Sequence, residues 1–388
     1  MNKSISMFGH LLQVIPKTEF FTAVKETSSE RGAKGFSCWD QFVAMLFCQM
    51  GQAKSLREIC GGLASCLGKL RHLGISNAPH RSTLSYANEH RPWTLYQKVF
   101  YQLLAICRPL SKGKKKFRFK NPLFSLDATI IDLCATLFDW ATYRKTKGAV
   151  KLHLLLDHEG YLPVFAHLTE GNVHEVNMAK DLSLPAGSIV AMDRGYNDYG
   201  LFGKWTAQGV FFVTRLKDNA RYRVTEDRAV QERGPVLEDQ IIELEGAAAR
   251  KKCPHRLRRV EVWDAENQRV IVLLTNHLTF ASATIAAIYK DRWQIEIFFK
   301  TIKQNLKIKT FVGTTANALK IQIWTALIAI LLLKYLQFRS RIAWSLSNLV
   351  ALLRYNLFTY RDLWAWLDDP FDTPPLAPGG EQLALAGV

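Results

Sequence analysis

The alternation of strand-like and helical segments between residues 121 and 217 constrains the fold of this chain most strongly. Three apolar, β-branched segments come first, and a short helical pattern, a strand, a second helix closed by Gly209 and a last strand follow. The segments are, in order, LFSLDATIIDL, AVKLHLLLDHEG, YLPVFAHLTEG, HEVNMAKDL, SIVAMD, YGLFGKWTAQG and VFFVTRLK. An antiparallel meander followed by two crossover units predicts an α/β fold with a central mixed sheet.

That order of strands and helices is ribonuclease-H-like, with its catalytic residues expected at the carboxyl ends of the strands. The remainder of the chain is organised around this fold. We expect a helical DNA-binding domain over 1–110, followed by a basic linker over 111–120. A catalytic domain then covers 121–217 and 282–316, and a β-rich insertion over 218–281 interrupts it. A C-terminal helical region over 317–370 and a loose tail over 371–388 complete the chain.

The amino-terminal region carries clear helix-start signals. Ser37 precedes the apolar segment WDQFVAMLFCQM, and Ser55 stands three residues before Glu58, which is capping-box spacing. A turn-rich link over 72–80 leads to another helix near Ser82. Two short helices around a turn fit either a helix-turn-helix that reads a major groove or a plain helical bundle. The linker SKGKKKFRFK is either solvated or in contact with phosphate.

Two aspartates occupy informative positions in the predicted sheet. Asp127 lies inside the first apolar strand, where a charge is costly unless it is paired or bound to a metal ion. Asp193 ends the fourth strand, IVAMD. In the predicted order these two strands are neighbours, so we expect the carboxylates to converge. Carboxylate oxygens suit hard cations such as Mg²⁺ or Mn²⁺.

A third acid, Glu296, lies in the segment 289–309, which the sequence predicts as one amphipathic helix. Six apolar residues fall on one face of this helix. The other face holds Glu296 within a column of cations and one phenol: Tyr289, Arg292, Lys300, Lys303 and Lys307. One carboxylate inside a basic stripe indicates a metal-binding acid on a surface that faces phosphate, although an ordinary Lys-rich wet face has the same periodicity.

The spacing Tyr289-x2-Arg292-x3-Glu296-x6-Lys303 resembles the Y-R-E-K signature of the DDE transposases of bacterial insertion sequences. The segments LDATIIDLC and MDRGY and the helical amino-terminal region extend the resemblance over nearly the whole chain. It implies that Asp127, Asp193 and Glu296 are the catalytic, metal-binding carboxylates.

The resemblance further implies that Tyr289, Arg292 and Lys303 hold the transposon end. Lys300 and Arg194 are further candidates for DNA contact. The expected activity is metal-dependent cleavage at the terminal inverted repeats and joining of the 3′-hydroxyls to target DNA, by cut and paste. Two Mg²⁺ or Mn²⁺ ions are expected as cofactors, double-stranded DNA as the partner, and a dimer in the synaptic complex.

The net charge agrees with a polyanionic partner. The chain has 51 Lys and Arg against 34 Asp and Glu, a formal charge of +17. We find no signal peptide pattern and no basic amphipathic helix typical of membrane binding, so we expect no membrane partner and a bacterial cytoplasmic protein, associated with the nucleoid when bound to DNA. The seven cysteines lack C-x-x-C pairing, and the spacing of Cys60 and Cys66 does not fit structural zinc.

Two other functions remain open from the residues. A ribonuclease-H-like nuclease that cuts without joining would carry the same carboxylates, and a DNA-binding repressor would carry the same charge. Trp263, on a predicted hairpin, either stacks on an extruded base or packs on its own sheet. We rank four other acids below the chosen three: Asp132, Asp139, Asp157 and Asp291.

Overall fold

A computed structural model gives the fold of this chain. The structure describes residues 5–376 except 67, 135–137, 139, 145–146, 173, 232–233, 307 and 309. The chain divides into two compact units, one formed by residues 1–111 and 300–388 and the other by residues 112–299. The division falls within one helix, α11, which spans Trp293–Asn305.

The first unit is helical within its described residues. Its central helix is α12, Ala316–Arg339, which is buried along most of its length and against which several of the other helices pack. The other helices are α1 Met7–Gln13, α2 Lys17–Glu26, α3 Cys38–Met50, α4 Leu56–Ala64, α5 Arg81–His90, α6 Thr94–Ser111, α13 Leu346–Asn356 and α14 Leu363–Asp368. By length and composition α12 is apolar enough to cross a membrane, but 83% of its most apolar window is buried against its neighbours. It is therefore the core helix of this unit.

The predicted helix starts are confirmed in this unit. The Ser37 hydroxyl caps α3 by accepting a hydrogen bond from the Asp40 N–H at 3.0 Å. The Ser37 N–H in turn donates to the Asp40 carboxylate at 2.7 Å, which completes a capping box. Ser55 caps α4, whereas the Glu58 carboxylate accepts from Lys54 and not from Ser55. The loose tail predicted over 371–388 lies outside the described residues from 377 onward.

The second unit is built on one large sheet. Its strands are β1 Leu123–Leu133, β2 Thr142–Arg144, β3 Lys147–Asp157, β4 Leu162–Glu170, β5 Ile189–Met192, β6 Phe211–Arg215, β7 Tyr222–Asp227, β8 Val236–Leu244, β9 Leu257–Asp264 and β10 Arg269–Thr275. The order along the sheet is β2-β3-β1-β5-β6-β10-β9-β8-β7, and β4 pairs with β3. The segment 218–281 thus supplies strands that extend the same sheet through the antiparallel pair β6 and β10.

The pairing directions confirm the ribonuclease-H-like α/β fold. Strand β3 is antiparallel to both β1 and β4, while β5 runs parallel to β1 and to β6. Helix α7, Glu175–Asp181, precedes β5, and α8, Tyr199–Ala207, connects β5 to β6. These crossovers put parallel strands side by side, so that β1 and β5 are neighbours although more than 50 residues separate them in sequence.

The two faces of this sheet are covered by different helices. Leu126, Met192 and Phe202 belong to a buried cluster on the face under α8. Ile189 and Ala191 pack on the other face with Ile285 and Ile288 of helix α10, Ser282–Asp291. Because side chains alternate along a strand, the residue after Met192 points to the α10 face.

Candidate active site

The parallel pairing of β1 and β5 brings Asp127 and Asp193 to adjacent positions. Leu126 is the register partner of Met192, the last residue of β5, and the two aspartates come next on their chains. Strand β1 continues to Leu133 beside β3, whereas β5 ends, so that an opening begins at this level of the sheet. Both side chains are partly buried there, on the face that α10 covers.

The segment predicted as one helix from Tyr289 to Lys309 is two helices, and the prediction of an unbroken helix is wrong. Helix α10 ends at Asp291, Arg292 forms a turn, and α11 begins at Trp293. The Arg292 N–H is shared between the carbonyls of Ile288 and Tyr289, both at 3.2 Å, and the Ile295 N–H bonds back only three residues to the Arg292 carbonyl. Arg292 keeps helical backbone angles, φ −51° and ψ −31°, so the interruption is confined to one residue.

Arg292 joins two of the three predicted catalytic acids. One guanidinium nitrogen lies 3.3 Å from an Asp127 carboxylate oxygen, and the other lies 2.7 Å from a Glu296 carboxylate oxygen. The Arg292 side chain is only 11% exposed, and its guanidinium lies 5.6 Å from the centre of the Tyr289 ring. Arg292 therefore joins Asp127 and Glu296 at the end of the β1–β5 pair where Asp193 follows β5.

The protonation of Asp127 reflects this setting. The pKa of its carboxyl group is raised from 3.8 to about 7, chiefly by burial and also by the negative charges of Glu175 and Glu296. The hydrogen bond from the Ala128 N–H and the charge of Arg292 lower the pKa of Asp127 but do not cancel the effect of burial. Burial also raises the pKa of the Tyr289 hydroxyl. The pocket thus disfavours negative charge unless a cation is present.

The donor chemistry of this pocket fits a hard divalent cation, because its acids are carboxylates without sulfur or imidazole beside them. In the residues that the structure describes, however, no three His, Cys, Asp or Glu side chains lie close enough together to hold a metal ion. Arg292 occupies the space between Asp127 and Glu296, as its two ion pairs show.

Two residues that the sequence did not single out contribute to the pocket. Glu175, in the first turn of α7, pairs with Lys151 at 3.4 Å and approaches Gly195 so closely that a Cβ there would lie 3.2 Å from its carboxylate. The Tyr196 hydroxyl is fully buried and has no hydrogen-bond partner among the described residues. Burial raises its pKa, as do Asp127, Glu175 and Asp193. No sequence signal separates Glu175 from any other acid at a helix start.

The candidate DNA-contact residues differ in exposure. Lys300 is exposed and Lys303 is partly buried on α11. Arg194 is 53% exposed and lies 3.6 Å from Asp218. Tyr289 packs partly into the core under α10. Lys307, the other cation of the predicted stripe, lies outside the described residues.

The competing acids occupy other surroundings, and so does Trp263. Asp132 is exposed, and Asp157 accepts a hydrogen bond from Glu159 in the turn between β3 and β4. Asp291 is buried next to Arg292 and pairs with His158 and Lys116. Asp139 lies outside the described residues. The indole of Trp263 is 39% exposed on β9.

Comparison with known proteins gives matches over most of the chain. Residues 118–332 match the family model described as a transposase DDE domain, and residues 3–76 match a domain of unknown function, DUF4372. A protein of Sinorhizobium fredii that carries the name transposase y4zB is 30% identical over 83% of this chain and 88% of its own length. The transposase of insertion sequence element IS5377 from Geobacillus stearothermophilus is 29% identical over 87% of this chain and 86% of its own.

Among solved structures, a piggyBac transposase in a synaptic complex with hairpin DNA is similar at 8% identity and a TM-score of 0.45. The match covers 97% of this chain and 84% of that one. A likeness at that TM-score carries no argument about this chain, so only the sequence matches bear on its family.

Proposed function

We propose that this chain, which belongs to the transposase DDE family of bacterial insertion sequences, cleaves DNA at the terminal inverted repeats of its element and joins the freed 3′-hydroxyls to target DNA. One observation carries the proposal. The register of β1 and β5 makes Asp127 and Asp193 neighbours, and Arg292 links Asp127 to Glu296. These contacts support the proposal that the three acids, which are far apart in sequence, act at one site.

Members of this family normally use divalent metal ions. We propose Asp127, Asp193 and Glu296 as the ligands of two Mg²⁺ or Mn²⁺ ions. Bound divalent ions supply the charge that activates the attacking oxygen and stabilises the leaving oxygen in an in-line phosphoryl displacement. The raised pKa of Asp127 supports this role, because a buried carboxyl group with acidic neighbours becomes fully charged most readily when a cation joins it.

Arg292 takes two successive partners in this mechanism. Before metal and DNA bind, its guanidinium neutralises Asp127 and Glu296. Released from those carboxylates, its planar fork would make bidentate contact with a phosphate beside the scissile bond. Tyr289, which lies against that guanidinium, would orient it or bond the same phosphate.

The positive charge of the chain supplies the remaining attraction for DNA. Lys300, Lys303 and Arg194 would contact backbone phosphates, and the net charge of +17 favours association with double-stranded DNA over long range. Such contacts position the duplex and carry no sequence information of their own. A synaptic complex holds two DNA ends, so we expect two copies of the chain in it.

The test uses labelled duplexes taken from the DNA that flanks this reading frame, a target plasmid and Mn²⁺. We expect strand cleavage at the repeat ends and plasmid-linked product. Asp193→Asn and Glu296→Gln should each abolish both products, whereas Asp132→Asn, which alters an exposed acid of the same sheet, should keep both.

The rival functions give different products in that assay. Cleavage without any joined product would indicate a nuclease and contradict strand transfer. Binding to the repeats without cleavage, in the parent as in Asp193→Asn, would indicate a repressor and contradict the catalytic proposal.

A further inference from the structure

A chain of buried hydrogen bonds lies beside the candidate active site. The Nε2 atom of His158 is 2.7 Å from the Ser125 hydroxyl, and its Nδ1 atom is 2.7 Å from one carboxylate oxygen of Asp291. Lys116 donates to the other Asp291 oxygen at 2.9 Å. Ser125, His158 and Asp291 are 0%, 3% and 3% exposed. We call these four residues the Asp291 cluster.

The chemistry of the groups fixes the direction of two of these hydrogen bonds. A carboxylate only accepts, so Nδ1 of His158 and the Lys116 ammonium both donate to Asp291. Nε2 of His158 and the Ser125 hydroxyl share the third hydrogen bond. Burial raises the pKa of Asp291, but the hydrogen bonds from His158 and Lys116 and their charges outweigh it, and the pKa is lowered overall. Asp291 is therefore a buried carboxylate whose oxygens are both satisfied.

The order Ser125, His158, Asp291 is that of a hydrolytic triad, but this cluster cannot act as one. The Ser125 hydroxyl is fully buried in strand β1, so no substrate carbonyl or phosphorus reaches it. The cluster must act through the elements that it joins.

Those elements are the ones that carry the candidate catalytic residues. Ser125 stands two positions before Asp127 on β1, and the two side chains point to the same face of the sheet. Asp291 is the last residue of α10 and immediately precedes Arg292, where the helix breaks. His158 lies just after β3 in the turn to β4, and its backbone N–H donates to the Leu123 carbonyl at 2.9 Å.

We propose that Ser125, His158 and Asp291 are positioning residues that hold the break at Arg292 against strand β1, so that Arg292 and Glu296 face Asp127. The inference rests on the proposed function of those carboxylates. A buried carboxylate with fixed donors has one favourable position, because any shift of the helix end would leave a charge without partners. Apolar packing under α10 alone would tolerate a rotation of this helix end.

The decisive variant is Asp291→Asn, which keeps the size of the side chain and removes its charge. The probe is Mn²⁺ alone, titrated against the full chain at pH 8 and followed by the electron paramagnetic resonance signal of free Mn²⁺. All variants in this titration carry Arg292→Gln, which removes the guanidinium that competes with Mn²⁺, and they are compared with that variant as the parent. In this background we expect Asp291→Asn to weaken Mn²⁺ binding about tenfold, the usual effect of losing a residue that orients a metal ligand, here Glu296. Ser125→Ala, a smaller change in the same cluster, should weaken binding in the same direction.

The matched control is Asp239→Asn. Asp239 is also a buried carboxylate of the same sheet, paired with Arg258 by hydrogen bonds of 2.7 and 2.6 Å, and it belongs to the extension of the sheet beyond β10. Asp239→Asn should lower the thermal midpoint as Asp291→Asn does, yet bind Mn²⁺ within twofold of the parent. Equal Mn²⁺ affinities in the two variants would overturn the positioning role and leave the proposed function intact.

A second measurement does not depend on metal. Hydrogen–deuterium exchange of the metal-free chain should be faster in Asp291→Asn at residues 292–296 and 125–128, and Asp239→Asn should leave these peptides as in the parent. Unchanged exchange at 292–296 would overturn the inference. If Asp193→Asn binds Mn²⁺ as the parent does, the proposed metal site fails instead, and the exchange result alone decides the positioning role. Should Asp291→Asn not fold, Ser125→Ala and His158→Gln take its place in both measurements.

Discussion

Replacing Asp127 by asparagine should stabilise the metal-free protein, although it removes a candidate catalytic residue. The Asp127 carboxyl group is 16% exposed and has a folded-state pKa of about 7 against 3.8 in its ordinary state. Because the folded-state pKa is raised, the carboxyl group does not lower the free energy of unfolding below about pH 4. It lowers the free energy of unfolding more and more as the pH rises to 7. At pH 8 the full difference in pKa corresponds to about 4 kcal/mol of unfolding free energy.

The pH dependence separates this effect from a change in packing. Between pH 5 and pH 8 the penalty of the ionised carboxyl grows by about 2–3 kcal/mol. The difference in unfolding free energy between Asp127→Asn and the parent should grow by that amount. This corresponds to a difference of several degrees in the thermal midpoint of a unit of this size. This free-energy difference already includes the attraction of Arg292, because that charge contributes to the pKa of Asp127.

The assay is thermal and denaturant unfolding in the presence of a chelator at both pH values, with Asp132→Asn as the control. Asp132 lies exposed on the same strand, so its variant should behave like the parent at both pH values. Equal or lower stability of Asp127→Asn at pH 8, or a stability difference that does not change with pH, would refute the reasoning that burial of the Asp127 carboxylate outweighs its attraction to Arg292.

Three further outcomes are expected. Arg292→Gln should tighten Mn²⁺ binding about tenfold without DNA, because it removes a cation that competes for the carboxylates, and it should weaken binding to end-repeat duplex. A Mn²⁺ titration and a gel shift measure the two affinities. Weaker Mn²⁺ binding would contradict the proposed exchange of partners by Arg292. Lys303→Ala should reduce the salt slope of DNA affinity by about 1, and an unchanged slope would remove it from the phosphate contacts. Ser37→Ala should cost about 1 kcal/mol in denaturant unfolding by removing the cap of α3, and no loss would contradict the capping role.

The local elements were predictable because their signals are local. Strand β1 spans the segment that its β-branched residues indicated, and the cap at Ser37 opens α3 as expected. The order of three meander strands and two crossovers was sufficient to predict that β1 and β5 are neighbours, because right-handed crossovers leave few alternatives. The roles of Asp127, Asp193 and Glu296 came from family resemblance and stay proposals.

The break at Arg292 was not predictable from periodicity. A turn of one residue between helices hardly disturbs the helical spacing of apolar side chains, so both halves have the pattern of one helix. Asp291 lies off the polar face of that predicted helix, and the partners that explain its burial, His158 and Lys116, are distant in sequence. Glu175 was missed because its partner Lys151 lies on another element of the chain.

The sequence by itself determined the order of the central strands and helices, the fold class and the family, since these depend on patterns within short segments and on their order. Only the tertiary structure decided which charges face each other: that Arg292 lies between two acids, and that Asp291 is buried against a histidine. The physical reason is that the Asp127–Arg292 and His158–Asp291 pairs depend on distances and burial between segments 165 and 133 residues apart, which no local pattern records.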